Sequence, residues 1–156
     1  MLVRNIVIAI VTAPELLVSL IVLAIYICYP QSLEFIGEKL TSETESWKYI
    51  TAIPCGFFIW CVKLFSDMRS PSDKAENKIL YGWPQYKLLV ARLYLALVLS
   101  GLSAAVSIGL WLLGKNLDHR IIGALFIGAV GVSAVVSATL TFARSRLKEL
   151  LTQHGS

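Results

Sequence analysis

The sequence predicts an all-α membrane protein with four transmembrane helices, and three observations carry this prediction. Hydrophobic residues make up 56% of the 156-residue chain and charged residues only 15%, whereas soluble domains carry about 25% charged residues. The mean hydropathy is +0.71. The apolar residues also form four long blocks rather than a short-period alternation. A chain of this length forms one domain, and its charges are too few to cover a water-facing surface.

Each apolar block has a length that suits a membrane crossing and contains at most one charged residue. A helix of about 20 apolar residues crosses a hydrocarbon core of about 30 Å. The second block is the shortest, and it is extended by Trp47 at one end and a snorkelling Lys63 at the other. A water-soluble bundle would need a polar face, which the third and fourth blocks lack. We therefore predict a single domain over 1–156 with spans at about 6–29, 49–65, 88–113 and 121–143.

The distribution of basic residues predicts the orientation of these spans. Four spans place both termini on one side, and if that side is cytoplasmic then ten of the 14 lysines and arginines are inside. This bias follows the positive-inside rule and predicts a multi-pass protein of the cell inner membrane with cytoplasmic termini. The net charge of +4 is then explained by basic residues that face the anionic inner surface of the bilayer. No direct binding of nucleic acid is expected.

The outer connection, 30–48, is acidic and contains apolar residues at helical spacing, namely Leu33, Ile36 and Leu40. This pattern predicts a short amphipathic helix that lies on the outer surface or caps the bundle. A plain connector is the alternative interpretation, and a sensing role for the segment is a third.

The inner connection contains a helix-start signal. Ser70 and Asp73 fit a capping box, with Pro71 at the first helical position, and together they predict a polar helix over about 71–81. This helix is the predicted docking site for a cytosolic protein partner, through Asp73, Lys74, Glu76, Asn77 and Lys78. The tail, 144–156, is predicted to continue the fourth span as a basic amphipathic helix.

Glu15 is the first candidate for a functional residue within the membrane. It lies about 14 Å into the first span at about 1.5 Å per residue, a depth where ionisable groups are costly and mark candidate sites. The neighbouring Pro14 predicts a kink. One interpretation is an ion or proton site, and the other is a protonated packing residue that hydrogen-bonds a neighbouring helix. No basic residue is predicted at this depth, because Lys63 and Arg92 are expected to snorkel to the cytoplasmic face.

Small residues recur at four-residue spacing on the third and fourth spans. Such stripes allow close approach of helices in lipid, where hydrophobic attraction between helices is absent. They predict packing between helices and, because the fourth span carries more small residues than one neighbour requires, a homo-oligomer. The predicted packing residues are Gly101, Ala105 and Gly109 on the third span, and Ala129, Ser133, Ser137 and Thr141 on the fourth.

Constellations typical of catalysis are missing from the sequence. The chain has no glycine-rich phosphate loop, no base beside a candidate nucleophile and no metal-ligand spacing. The three cysteines, Cys28, Cys55 and Cys61, form no CxxC pair and fit small packing residues. We expect no enzymatic activity, no cofactor and no metal.

The whole-chain architecture combines four spans, an acidic outer connection and a polar inner helix. In this it resembles the small four-span membrane proteins of bacterial phage exclusion and defence, such as the membrane subunit of Kiwa-type systems. The resemblance implies a non-enzymatic membrane sensor or anchor that responds to phage attachment and works with a cytosolic partner. The competing prediction is a small ion- or proton-coupled transporter or channel that uses Glu15. Small multidrug resistance transporters also carry a carboxylate in the first of four helices, but the residues around Glu15 do not match their pattern.

Overall fold

A computed structural model describes residues 14–42, 49, 52–69, 81–82 and 84–154. Over these ranges the chain is helical apart from short turns, and no strand occurs in them. The α-helices are α1 (Pro14–Cys28), α2 (Pro30–Ser42), α3 (Ile53–Arg69), α4 (Tyr86–Leu113) and α5 (His119–His154), and a 3-10 turn, Gly114–Asn116, connects the last two. The predicted all-α class is confirmed for this part of the chain.

Two of the helices are long and apolar enough to cross a membrane. They are α4 and the His119–Glu149 part of α5, and the count rises to three if α1 and α2 form one broken span or re-entrant segment. The second predicted span, 49–65, corresponds to α3, which has 17 residues and so lies at the lower limit of about 17–25 residues for a crossing. The structure is therefore compatible with a membrane protein, and the four predicted crossings stay a prediction.

Within its described part, the first predicted span, 6–29, is a single helix, α1, and a sharp bend follows it. Helix α1 ends at Cys28, and α2 starts at Pro30 with its axis turned by 102°. The residue before a proline is disfavoured in the α conformation, and proline suits the first position of a new helix. Tyr29 therefore lies at the bend between α1 and α2. The kink predicted at Pro14 falls at the edge of the described residues and stays a prediction.

Helix α5 is the centre of the molecule, since α1, α2, α3 and α4 all pack against it. The main hydrophobic cluster joins α3, α4 and α5 near the ends of α3 and α5 and the start of α4. Its buried members are Cys61, Leu64, Met68, Leu93, Ala96, Val136, Leu140 and Leu147. A smaller cluster at the other end is centred on Leu110 and Ile122.

The amphipathic helix predicted in the outer connection is present as α2, and it caps one end of the bundle. Leu33 is buried and Leu40 packs against the smaller cluster. Two glycines allow this contact: Gly37 lies against the backbone of His119, and Gly123 lies against the backbone of Leu33. A β-carbon at either glycine would overlap backbone atoms of the facing helix, so α2 and α5 meet at backbone distance.

Helix α5 runs past the predicted end of the fourth span to His154. Within this extension Leu147 joins the main cluster, and Arg144 forms an ion pair with Asp67 of α3 at 2.6 Å. The extension thus packs on the bundle. The docking candidates Asp73, Lys74, Glu76, Asn77 and Lys78 lie outside the described residues, as does the predicted helix 71–81 apart from Tyr81.

Candidate functional site: a buried ion pair at the end of an apolar groove

Glu15 and Arg92 form an ion pair that joins α1 to α4. Nη2 of Arg92 donates to both carboxylate oxygens of Glu15, at 2.8 Å from Oε1 and 2.7 Å from Oε2. The Glu15 side chain is 1% exposed and that of Arg92 is 22% exposed. Thr139 of α5 lies 3.5 Å from Oε1 with its hydroxyl, so three helices meet at this carboxylate. Hydrogen bonds to ionised groups are the stronger class, and here they act where water is largely excluded.

This geometry corrects the prediction that Glu15 has no basic residue at its depth. The Arg92 guanidinium contacts the carboxylate instead of extending to the face that was predicted to be cytoplasmic. A lone charge in an apolar interior is costly, and pairing with an opposite charge offsets that cost. The sequence did contain a signal for this pair. The first and third predicted spans each carry one charge, and the two charges have opposite signs.

Glu15 also lies at one end of a groove of about 380 Å³ between α1, α4 and α5. Its lining is apolar except for Glu15, Tyr26, Ser19 and Ser103. The two serine hydroxyls donate to backbone carbonyls of their own helices, at Glu15 and Leu99. Helix α1 packs on α5 but not closely along α4, so the groove opens sideways between α1 and α4.

The other end of the groove lies at Tyr26, where Arg120 of α5 holds the C-terminal part of α1. The Arg120 guanidinium donates a hydrogen bond to the carbonyl of Tyr26 and lies 4.0 Å from the centre of the Tyr26 ring. The last carbonyls of a helix lack partners within it, and the arginine satisfies one of them. The Arg120 Nε is buried and has no hydrogen-bond partner among the described residues.

The predicted small-residue stripe of α4 is displaced from the face that packs within the chain. Gly101 faces the Phe58 ring, and a β-carbon placed on Gly101 would lie 3.4 Å from the nearest ring atom. Ala105 is exposed, and a β-carbon on Gly109 would meet no atom within 4 Å. The small residues that α4 buries are Ala96, Ser100, Ser103, Ala104 and Ser107. Four-residue spacing alone does not distinguish these adjacent faces of one helix.

On α5 the predicted stripe lies mostly inside the chain. Ala129, Ser133 and Ser137 are buried, and Ser137 lies 3.4 Å from the sulfur of Cys61. Thr141 is exposed and lines a second groove, of about 630 Å³, between α3 and α5. Contacts between helices of one chain therefore account for three of the four residues. A homo-oligomer stays a prediction.

The described residues contain no cluster of three or more His, Cys, Asp or Glu side chains that could hold a metal ion. The comparisons with protein-family models, with curated proteins and with solved structures find no match. The described residues therefore define a helical protein with at least two helices long and apolar enough to cross a membrane, and its function is argued from the site.

Proposed function

We propose that the protein is a non-enzymatic component of a bacterial inner membrane, a sensor or anchor that responds at its outer face and works as a homo-oligomer with a cytosolic partner. In this proposal it crosses the bilayer four times with both termini in the cytoplasm. Antiviral defence is the proposed setting, since the resemblance to four-span phage-defence proteins implies it.

The observation that carries the proposal is the ion pair of Glu15 and Arg92 beneath the capping helix α2. Only Tyr29 separates α2 from α1, so a protein or ligand bound at α2 lies next to the C-terminal end of α1 and can act on it. The other described end of α1 is held to α4 by the ion pair. A contact made at the outer face thus has a covalent path to a charged pair buried inside the membrane. Allosteric coupling requires an element with two discrete arrangements, and in this proposal the pair is that element, formed in one state and broken in the other.

A proton- or ion-coupled transporter is the second candidate, and one observation favours it. The groove of about 380 Å³ ends at the Glu15 carboxylate, so a species that enters between α1 and α4 could reach an ionisable group. Transport would require Arg92 to release that carboxylate during each cycle.

The two candidates are separated by removing and reversing the pair. Glu15→Gln and Arg92→Gln each remove one charge, and Glu15→Arg combined with Arg92→Glu restores a pair with reversed polarity. If the pair positions α1 for signalling, the reversed pair should recover protection in a phage-plating assay, and liposomes should show no proton flux. If Glu15 carries protons, flux should be present in the wild type and absent from the reversed pair.

A matched control keeps these outcomes interpretable. Arg146 pairs with Glu149 at 3.0 Å on an exposed face, and Arg146→Gln should change neither plating nor flux. Loss of protection in every variant including the reversed pair, together with normal assembly and no flux, would contradict both candidates.

A further inference from the structure

We propose that the groove between α1, α4 and α5 binds one acyl chain of a phospholipid, and that Arg120 binds the phosphate of the same lipid. This inference rests on the membrane placement in the proposed function, and it does not depend on the defence role or on transport. The lipid belongs to the leaflet on the side of α2.

The length of the groove fits one leaflet. Its α1 lining runs from Glu15 to Tyr26, a rise of about 16 Å at about 1.5 Å per residue. Half of a hydrocarbon core of about 30 Å is about 15 Å. One acyl chain that enters at Tyr26 would therefore end near Glu15.

The lining fits a hydrocarbon chain and the opening faces the hydrocarbon region. The volume of about 380 Å³ lies within the range of about 300–1,000 Å³ for ligand pockets. The hydroxyls of Ser19 and Ser103 are already bonded to their own helices, so neither serine requires a polar ligand. At the deep end Glu15 and Arg92 compensate each other's charge, which suits the methyl end of a chain.

Charge complementarity identifies the headgroup end. Arg120, Ala124 and Gly128 lie four residues apart on α5 and therefore share one face, and the latter two line the groove. Arg120 forms no ion pair in the described residues, and its buried Nε has no hydrogen-bond partner there. The carboxylate of the nearby Asp118 accepts from the backbone N–H of Arg120 at 3.3 Å. A guanidinium suits a phosphate because its donors match the phosphate oxygens.

The test uses the full chain in vesicles of phosphatidylethanolamine and phosphatidylglycerol that contain a trace of phosphatidylglycerol with a photoreactive diazirine in one acyl chain. After irradiation, the modified peptides are identified by mass spectrometry. We expect adducts concentrated on the groove-lining residues of α1, α4 and α5. Adducts spread evenly over all lipid-facing helices would overturn the proposal.

Two variants test the two halves of the site. Gly128→Leu fills the groove, because a β-carbon there makes only ordinary contact with Val22 at 3.9 Å, and it should lower groove labelling about tenfold, equivalent to about 1.4 kcal/mol. Gly109→Leu on the open face of α4 is the matched control and should label as the wild type does. Arg120→Gln should lower labelling about tenfold, and Arg120→Lys should retain most of it.

Three results would contradict the proposal. They are unchanged labelling in Gly128→Leu, unchanged labelling in Arg120→Gln, and equally strong groove labelling by a diazirine fatty acid that lacks a phosphate. Groove labelling that is absent from an oligomer and appears only when the protein is diluted to monomers in lipid would likewise show that a second copy of the chain, not a lipid, occupies the groove. Phage plating and proton flux do not enter these readouts, so failure here leaves the proposed function standing, and a negative plating or flux result leaves the lipid site standing.

Discussion

Helices α1 and α2 together form an arm, 14–42, and two contacts that hold this arm to the rest of the bundle use different interactions. Where α2 meets α5, Gly37 and Gly123 bring backbone against backbone. Where α1 faces α4, the ion pair of Glu15 and Arg92 connects the two helices, and the space next to this pair is an apolar groove. The first contact leaves no room for a β-carbon at either glycine, and the second borders a groove of about 380 Å³.

The difference indicates that one end of the arm is held in a single position while the other end can shift. In a membrane, helices associate through close packing and polar contacts, because lipid provides no hydrophobic drive between them. Packing at backbone distance has one arrangement, since any displacement loses contacts on both helices. An ion pair across a groove tolerates movement of long side chains. We infer that α2 is the fixed part of the arm and that α1 is the part able to shift.

The largest effect is expected from substitutions at the two glycines. Gly37→Ala and Gly123→Ala place a methyl group against the backbone of His119 and of Leu33. Because neither backbone segment can rotate away as a side chain does, we expect a loss of about 3 kcal/mol or more, the upper end for overpacked contacts. Thermal unfolding in detergent measures it.

Gly109→Ala is the matched control for the glycine experiment, since a β-carbon there meets nothing within 4 Å. It should leave the unfolding midpoint nearly unchanged. Equal tolerance of alanine at Gly37, Gly123 and Gly109 would show that α2 does not pack at backbone distance, and the comparison between fixed and adjustable contacts would fail.

An intermediate effect is expected from breaking the pair of Glu15 and Arg92. Removing one partner of a buried pair costs about 3–5 kcal/mol because the other charge stays uncompensated. Arg92 is 22% exposed and can recover some solvation, so Glu15→Gln should fall at or below the lower limit. The double variant Glu15→Gln with Arg92→Gln should be less destabilised than the sum of the single variants. Strict additivity in this double-mutant cycle would mean that the two side chains do not interact.

The all-α fold, the amphipathic α2 and the helical tail could be predicted from the sequence, because each depends on local periodicity. Leu33, Ile36 and Leu40 at helical spacing were sufficient to predict α2. The predicted boundary at Tyr29 lies within one residue of the observed end of α1 at Cys28. The 102° angle between α1 and α2 was not predicted, because hydrophobic periodicity locates helices but not the angle between them.

Glu15 was predicted as a candidate from its depth, but its partner was not. Depth along a helix was read from each span separately, which placed Arg92 near the cytoplasmic end of its own helix. Partner choice depends on how α1 and α4 are offset along α5, and a single sequence carries no direct record of that offset. The same limitation explains the small residues of α4, where the buried face differs from the predicted stripe by one position.

The smallest effect is expected at the ion pair of Asp67 and Arg144, which joins α3 to α5 at 2.6 Å. Its distance matches that of the Glu15 pair, but its side chains are 35% and 32% exposed. Exposed pairs contribute about 0–1 kcal/mol because solvent screens them and both side chains lose freedom. Asp67→Asn should therefore lower stability by about 0.5 kcal/mol, and added salt should weaken the wild-type contribution further. Unfolding of both Asp67→Asn and Glu15→Gln over a range of salt concentrations checks this. A salt-sensitive Glu15 pair, or an Asp67 pair as strong as the Glu15 pair, would show that burial does not distinguish the two contacts and that α1 is held no more firmly than a surface contact holds α3.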